Sequence, residues 1–123
     1  MSSTSTMRGV QYHKATIASG ASLSNAIQPQ GLALFAIQMP STWTAAAITF
    51  QGSYDGTTYG DVYDDGGTEV TIASANAVAS RVIVNGSVLE KLAALPFVKI
   101  RSGTTGSPVN QGQQSIVYLL GKA

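Results

Sequence analysis

The sequence predicts an all-β fold, an antiparallel β-sandwich (jelly-roll-like) with one short helix near residues 88–95, and three observations predict it. Apolar and polar residues alternate through Ile48, Phe50 and Gln51, and again through Tyr59, Asp61 and Tyr63. A period of two marks strands with one buried face. Between the two runs stands Asp55-Gly56, a strong short-range hairpin signal. Turn residues then recur along the chain at roughly the 8–12-residue spacing of a sandwich or barrel.

The elements follow in order. Residues 1–10 are small and polar and read as an extended arm, leaving 11–123 as a single domain. Two short strand-like pieces lie between Ala15 and Ile27, with a turn at Ser19-Gly20. Residues 31–39 are the most apolar run and stop at Pro40, which biases Met39 towards an extended backbone. A run apolar on both faces predicts a central strand, with Leu32, Leu34 and Ala36 on one side and Phe35, Ile37 and Met39 on the other. The loop 41–44 leads into the hairpin, Asp64 to Gly67 make a second turn, and 69–72 form the return strand. Residues 73–79 fit strand, loop or helical turn equally. Residues 81–84 are a strand with a turn at Asn85-Gly86, and Val88, Leu89, Leu92 and Leu95 have the spacing of a short helix closed by Pro96. The last strands are 97–102 and 115–120.

A chain of 123 residues buries roughly two-thirds of the surface it exposes when unfolded, so no disulfide or metal is required to support a core. Charged residues make up 11% of it, under half the usual share of about 25%. Such a surface is easily desolvated, which favours faces buried in an assembly, although a monomer with an uncharged polar surface has the same composition. The net charge of +1, without any run of like charges, removes the electrostatic footprint of a nucleic-acid binder. Lys99 and Arg101 share one strand face, but two charges do not make a patch. With no Cys there is no disulfide framework, thiolate zinc site or Cys nucleophile. Neither a signal-peptide core nor an apolar run of membrane-spanning length is present, so the expected site of synthesis is a cytoplasm, with no export signal and no membrane contact.

Catalytic constellations fail one by one. The single His, His13, cannot build a multi-His metal site, and Gly52 to Gly56 places its Ser one position too early for a nucleophile elbow. There is no phosphate loop and no dinucleotide fingerprint. Asp61, Asp64, Asp65 and Glu69 form the one acidic cluster; paired carboxylates run glycoside hydrolysis, and oxygen ligands hold calcium. Aligned on Gly66, however, the calcium-loop pattern fails at Tyr63 and Ile72, so these read as solvated turn carboxylates. Asn85 to Ser87 match a glycosylation sequon and read as a turn. Tyr59 and Tyr63 read as core or cross-strand packing, whereas Trp43 and Tyr54, near turns, are candidates for exposure. Neither a catalytic residue, nor a metal site, nor a cofactor is expected.

The segment 39–64, MPSTWTAAAITFQGSYDGTTYGDVYD, and the segment 95–103, LPFVKIRSG, resemble a family of small virion structural proteins of tailed bacteriophages. The likeness extends over most of residues 15–120 and lies in fold-type motifs, and the Gly-Ser-x-Asp-Gly hairpin is also similar to discoidin-like carbohydrate-binding sandwiches. What the phage resemblance implies is a non-enzymatic capsid decoration or cement protein on the outer head surface. Its expected partners are the major capsid protein or other virion proteins, and its own copies in a homo-oligomer, a trimer being favoured by lattice symmetry. Residues 1–14 would cross onto a neighbour, which makes Met7, Arg8, Tyr12 and His13 candidate interaction residues. The alternative is a tail- or head-fibre-associated module that binds host-surface glycans through Trp43, Tyr54 and the acidic turn in one shared groove.

Overall fold

The structure, a computed structural model, describes residues 10–29, 33–84, 86–92 and 94–122. The two halves of the arm's expected contact set divide here: Met7 and Arg8 lie outside the described residues, and Tyr12 and His13 lie within them. The strands are β1 (Val10–Ile17), β2 (Ala33–Gln38), β3 (Ile48–Ser53), β4 (Gly60–Asp61), β5 (Val82–Val84), β6 (Phe97–Ser102) and β7 (Ser115–Lys122). They form a four-stranded sheet in the order β1-β7-β2-β5 and a three-stranded sheet in the order β4-β3-β6, antiparallel throughout. The fold is therefore all-β. A jelly roll has eight strands in two Greek keys; the described residues supply seven, four in one sheet and three in the other.

Both sheets turn their apolar sides to one core. Ala15 and Ile17 of β1, Ile37 of β2, Ile48 and Phe50 of β3, Val98 and Ile100 of β6, and Val117 and Leu119 of β7 belong to a single buried cluster. The alternate residues of each strand face away, as the pleat requires. Burying Phe50 and its branched neighbours contributes about 1.5–3 kcal/mol per side chain, and this shared core is what couples the two sheets.

The chain's local chemistry explains its turns. After β3 the chain reverses at Asp55-Gly56, where Gly56 takes a φ of +79°. Asp55 Oδ1 accepts the N–H groups of Thr57 and Thr58 at 2.8 Å each, so its side chain holds the turn. Asp64 does the same in the second turn, accepting from Gly66 at 2.9 Å and Thr68 at 3.0 Å. Residues 69–72 return as isolated bridges, Tyr63 to Glu69 and Ile48 to Ile72, rather than as a full strand. Segment 22–27 extends the second sheet beyond β6 through bridges Leu23 to Arg101 and Ile27 to Val98, with Ser24 Oγ accepting the Ile100 N–H at 2.9 Å. Residues 73–77 close a helical turn by a 3.1 Å bond from Ala77 N–H to Ala73 C=O.

One expectation is corrected, and two hold with changed detail. Residues 10–14 are not a crossing segment: they belong to β1, which pairs with β7 from Val10 opposite Lys122 to Ile17 opposite Ser115. The helix near 88–95 is an α-helical turn, α1 (Gly86–Leu89), continued by a 3-10 turn (Glu90–Leu92). It ends early because Leu89 and Leu92 alone reach full burial, while Val88 and Leu95 pack at the margin of the core. The central strand forms as expected between β5 and β7, but its strict alternation breaks at a bulge between Leu34 and Ala36.

Candidate functional site

The outward sides of the two sheets are built from opposite chemistry. On the three-stranded sheet, Lys99 and Arg101 of β6 share the outer side, as their spacing predicts. The Arg101 side chain is 8% exposed, and its guanidinium lies between two carboxylates. Its Nη1 donates to Glu69 Oε2 at 3.2 Å, Thr105 Oγ1 at 2.9 Å and Thr49 Oγ1 at 3.3 Å, and its Nη2 donates to Asp61 Oδ1. Thr105 Oγ1 in turn donates to Glu69 Oε2 at 2.5 Å, and Thr49 Oγ1 to the Gly103 carbonyl at 2.7 Å. The loop after β6 can fold back this tightly because residue 103 is glycine. Its φ is +96°, and a Cβ there would stand 2.4 Å from the Ser107 carbonyl oxygen.

This network corrects the reading of the acidic cluster as solvated turn carboxylates. Asp61 and Glu69 are the counterions of a buried arginine, while Asp64 serves its own turn. The hydrogen bond from Arg101 holds the Asp61 carboxyl below its ordinary range, the direction opposite to that of a proton donor poised for catalysis. The Thr58 and Thr57 N–H groups, with the Ser53 hydroxyl, hold Asp55 down at about 2. No group of three or more His, Asp or Glu side chains able to hold a cation occurs among the described residues; the guanidinium occupies the position between the carboxylates. Sequence reasoning missed the network because Asp61, Glu69 and Arg101 meet only through the register of β3, β4 and β6. The available signal was an arginine at an alternating strand position in a chain with few charges, since such a residue needs counterions.

The outer side of the four-stranded sheet carries the contrasting arrangement. Register places Tyr12, Leu120, Ala36 and Val84 in one row and Lys14, Tyr118, Gln38 and Val82 in the next. Lys14 is the single charge in these two rows. Tyr12 meets Tyr118 edge to face with ring centroids 5.6 Å apart. Val82 is 55% exposed and Val84 76%, on the edge strand of the sheet. The bond from Met39 N–H to the Arg81 carbonyl sets the antiparallel alternation, so the backbone groups of Val82 and Val84 point away from β2 along the open edge.

The other candidates separate. His13 stands on the inward side of β1, opposite the buried Leu119; its Nε2 is buried without a hydrogen-bond partner, and burial lowers its pKa. Tyr54 is 78% exposed at the hairpin. Tyr63 is 50% exposed, so of its two expected roles core packing is excluded, while its β-bridge to Glu69 places it opposite another strand segment. Tyr59 stacks beneath Lys99, whose Nζ is 4.3 Å from the ring centroid. Trp43 packs against the core and lines a cleft with Thr42, Thr44, Gln111, Gly112, Gln113 and Ser115. Neither Tyr54 nor any residue of the acidic turn is part of that lining, so the structure does not bring the expected glycan-binding set into one groove.

No protein-family model, no curated protein and no solved structure matches the chain.

Proposed function

We propose that this chain is a non-enzymatic structural protein of a tailed-bacteriophage virion, a decoration protein that binds the outer capsid surface and stabilises the head. It would act as a homo-oligomer, with the outer side of the four-stranded sheet as its assembly surface. The observation that carries the assembly reading is the pair of rows around Val84, Leu120 and Tyr118, with one charge among them. Depletion of charge and enrichment of tyrosine are the composition of an interface core, and the exposed Val82 and Val84 beside the half-buried Leu120 and Tyr118 extend it to the sheet edge. The virion setting rests on the resemblance of segments 39–64 and 95–103 to phage structural proteins. A protein that binds capsid lattice and not unassembled subunits stabilises the shell by mass action.

The test is made on virions purified from the phage that encodes the chain. Mass spectrometry should find the protein as a virion component, and image reconstruction should place it on the outer head surface. Virions free of it would end the proposal. Density confined to the tail would move the protein to the host-contact reading instead.

A further inference from the structure

We propose that the cleft beside Trp43 is a binding site for one ring of a neutral sugar. The cleft has a volume of about 290 Å³, at the small end of the roughly 300–1,000 Å³ range of ligand pockets, which suits a single pyranose ring and its substituents. Its lining contains no charged side chain, so a phosphate, a nucleotide or an acidic peptide would leave its charge unpaired there. Trp43 is its one aromatic surface and the remaining side chains are hydroxyls and amides, which disfavours a lipid. A ligand that fits this lining is uncharged, rich in hydroxyls and equipped with one apolar face. A pyranose ring has all three properties, with its C–H face available to stack on an indole.

The cleft is also built before any ligand arrives. Gln111, which is 1% exposed, clamps the two sides of the cleft together. Its Oε1 accepts from the Thr44 N–H at 2.8 Å, and its Nε2 donates to the Thr44 carbonyl at 3.0 Å and to Ser102 Oγ at 2.6 Å. Gly112 N–H donates to Thr44 Oγ1 at 3.0 Å, and Trp43 Nε1 donates to the Ala46 carbonyl at 3.4 Å. The indole is thus held from behind while it lines the cleft. A wall ordered in advance spares the ligand the entropy of ordering it. Gln113 and Thr42 are exposed at the cleft and join its wall only through their carbonyls, which accept from Ser115 Oγ, so their side chains are the ones placed to meet the sugar hydroxyls. The inference does not depend on the capsid role: the cleft is formed by loop 42–44 and segment 111–115, none of whose residues belongs to β5 or to the two outer rows.

Trp43 is the only tryptophan of the chain, so its emission reports on the cleft directly. The full-length protein is titrated with glucose, galactose, mannose, rhamnose and N-acetylglucosamine, and with sialic acid as a charged control. Chemical-shift mapping is run in parallel. The expected result is a saturable change with at least one neutral sugar, with a dissociation constant in the millimolar range and shifts confined to 42–46 and 111–115. Sialic acid should bind at least tenfold more weakly. Gln113→Ala should weaken binding roughly tenfold at an unchanged thermal midpoint, and Tyr54→Ala should leave it unaltered. Trp43→Phe, followed by chemical shifts alone, should also weaken it. Absence of saturable binding by every neutral sugar overturns the inference. So does binding that Gln113→Ala leaves intact, or shifts that map elsewhere.

Discussion

The two sheets share one core and differ on their outer sides, and the difference separates what holds the protein together from what it offers to others. On the three-stranded sheet every prominent polar group has a partner within the chain. Arg101 has Asp61 and Glu69, Gln51 Nε2 donates to Asp61 at 3.3 Å, and Lys99 lies over Tyr59. The four-stranded sheet leaves Val82 and Val84 on an open edge and aligns them with Leu120 and the tyrosine pair. The first arrangement is closed; the second is open among the described residues, which is why the assembly proposal is placed there.

Breaking the closed side should have the largest effect. Arg101→Met removes the one cation between two carboxylates, leaving Asp61 with Gln51 and Glu69 with Thr105 as their remaining donors. Losing one partner of a buried ion pair costs about 3–5 kcal/mol; because Asp61 retains 29% side-chain exposure, the lower figure, about 3 kcal/mol, is expected in denaturant unfolding. A loss below about 1 kcal/mol would mean that solvent already satisfies the carboxylates.

Acid should act on the same side. The carboxyls of Asp55, Asp61 and Asp64 all lie below their ordinary value of 3.8, and all three belong to the hairpins around the three-stranded sheet. With folded values depressed, the unfolded chain takes up protons first, so stability is retained above the unfolded pKa and lost as pH falls through the folded one. For Asp55 that window runs from 3.8 down to about 2. Thermal midpoints should be insensitive to these groups above pH ~4.5 and should drop below it. Asp55→Asn should flatten part of that drop, and an unchanged profile would contradict the role given to its turn.

The smallest effect on the closed side belongs to Lys99. Its contact with the Tyr59 ring is partly exposed, where such a contact contributes about 0.5–1 kcal/mol. Lys99→Met should lower stability by about 0.5 kcal/mol, and a loss approaching that of Arg101→Met would show that the two residues act as one network.

Much of the architecture was legible because local rules agreed with the global fold. Asp55-Gly56 made the turn its chemistry demands, Pro40 ended the central strand's run, and the apolar positions of 97–102 and 115–120 formed the strands β6 and β7. The sites were far less legible. Arg101 lies 40 residues from Asp61 and 32 from Glu69, and Gln111 lies 67 from Thr44. No short-range pattern encodes such pairings; they follow from strand register and from the course of a loop rich in Gly and Ser. The outer rows were equally hidden, since Tyr12, Leu120, Ala36 and Val84 come from four separate strands. The low charge foretold that some surface would be easily desolvated, without saying which.

The central claim, that the open side of the four-stranded sheet is the assembly surface, is tested most directly by sedimentation velocity on the full-length protein and on Val82→Lys/Val84→Lys. Both valines are exposed, so the double variant should unfold within about 1 kcal/mol of the original. The original is expected to sediment as an oligomer, and the variant as a folded monomer with association weakened at least tenfold. A variant that associates as well as the original, or an original that stays monomeric at every concentration, would contradict the account.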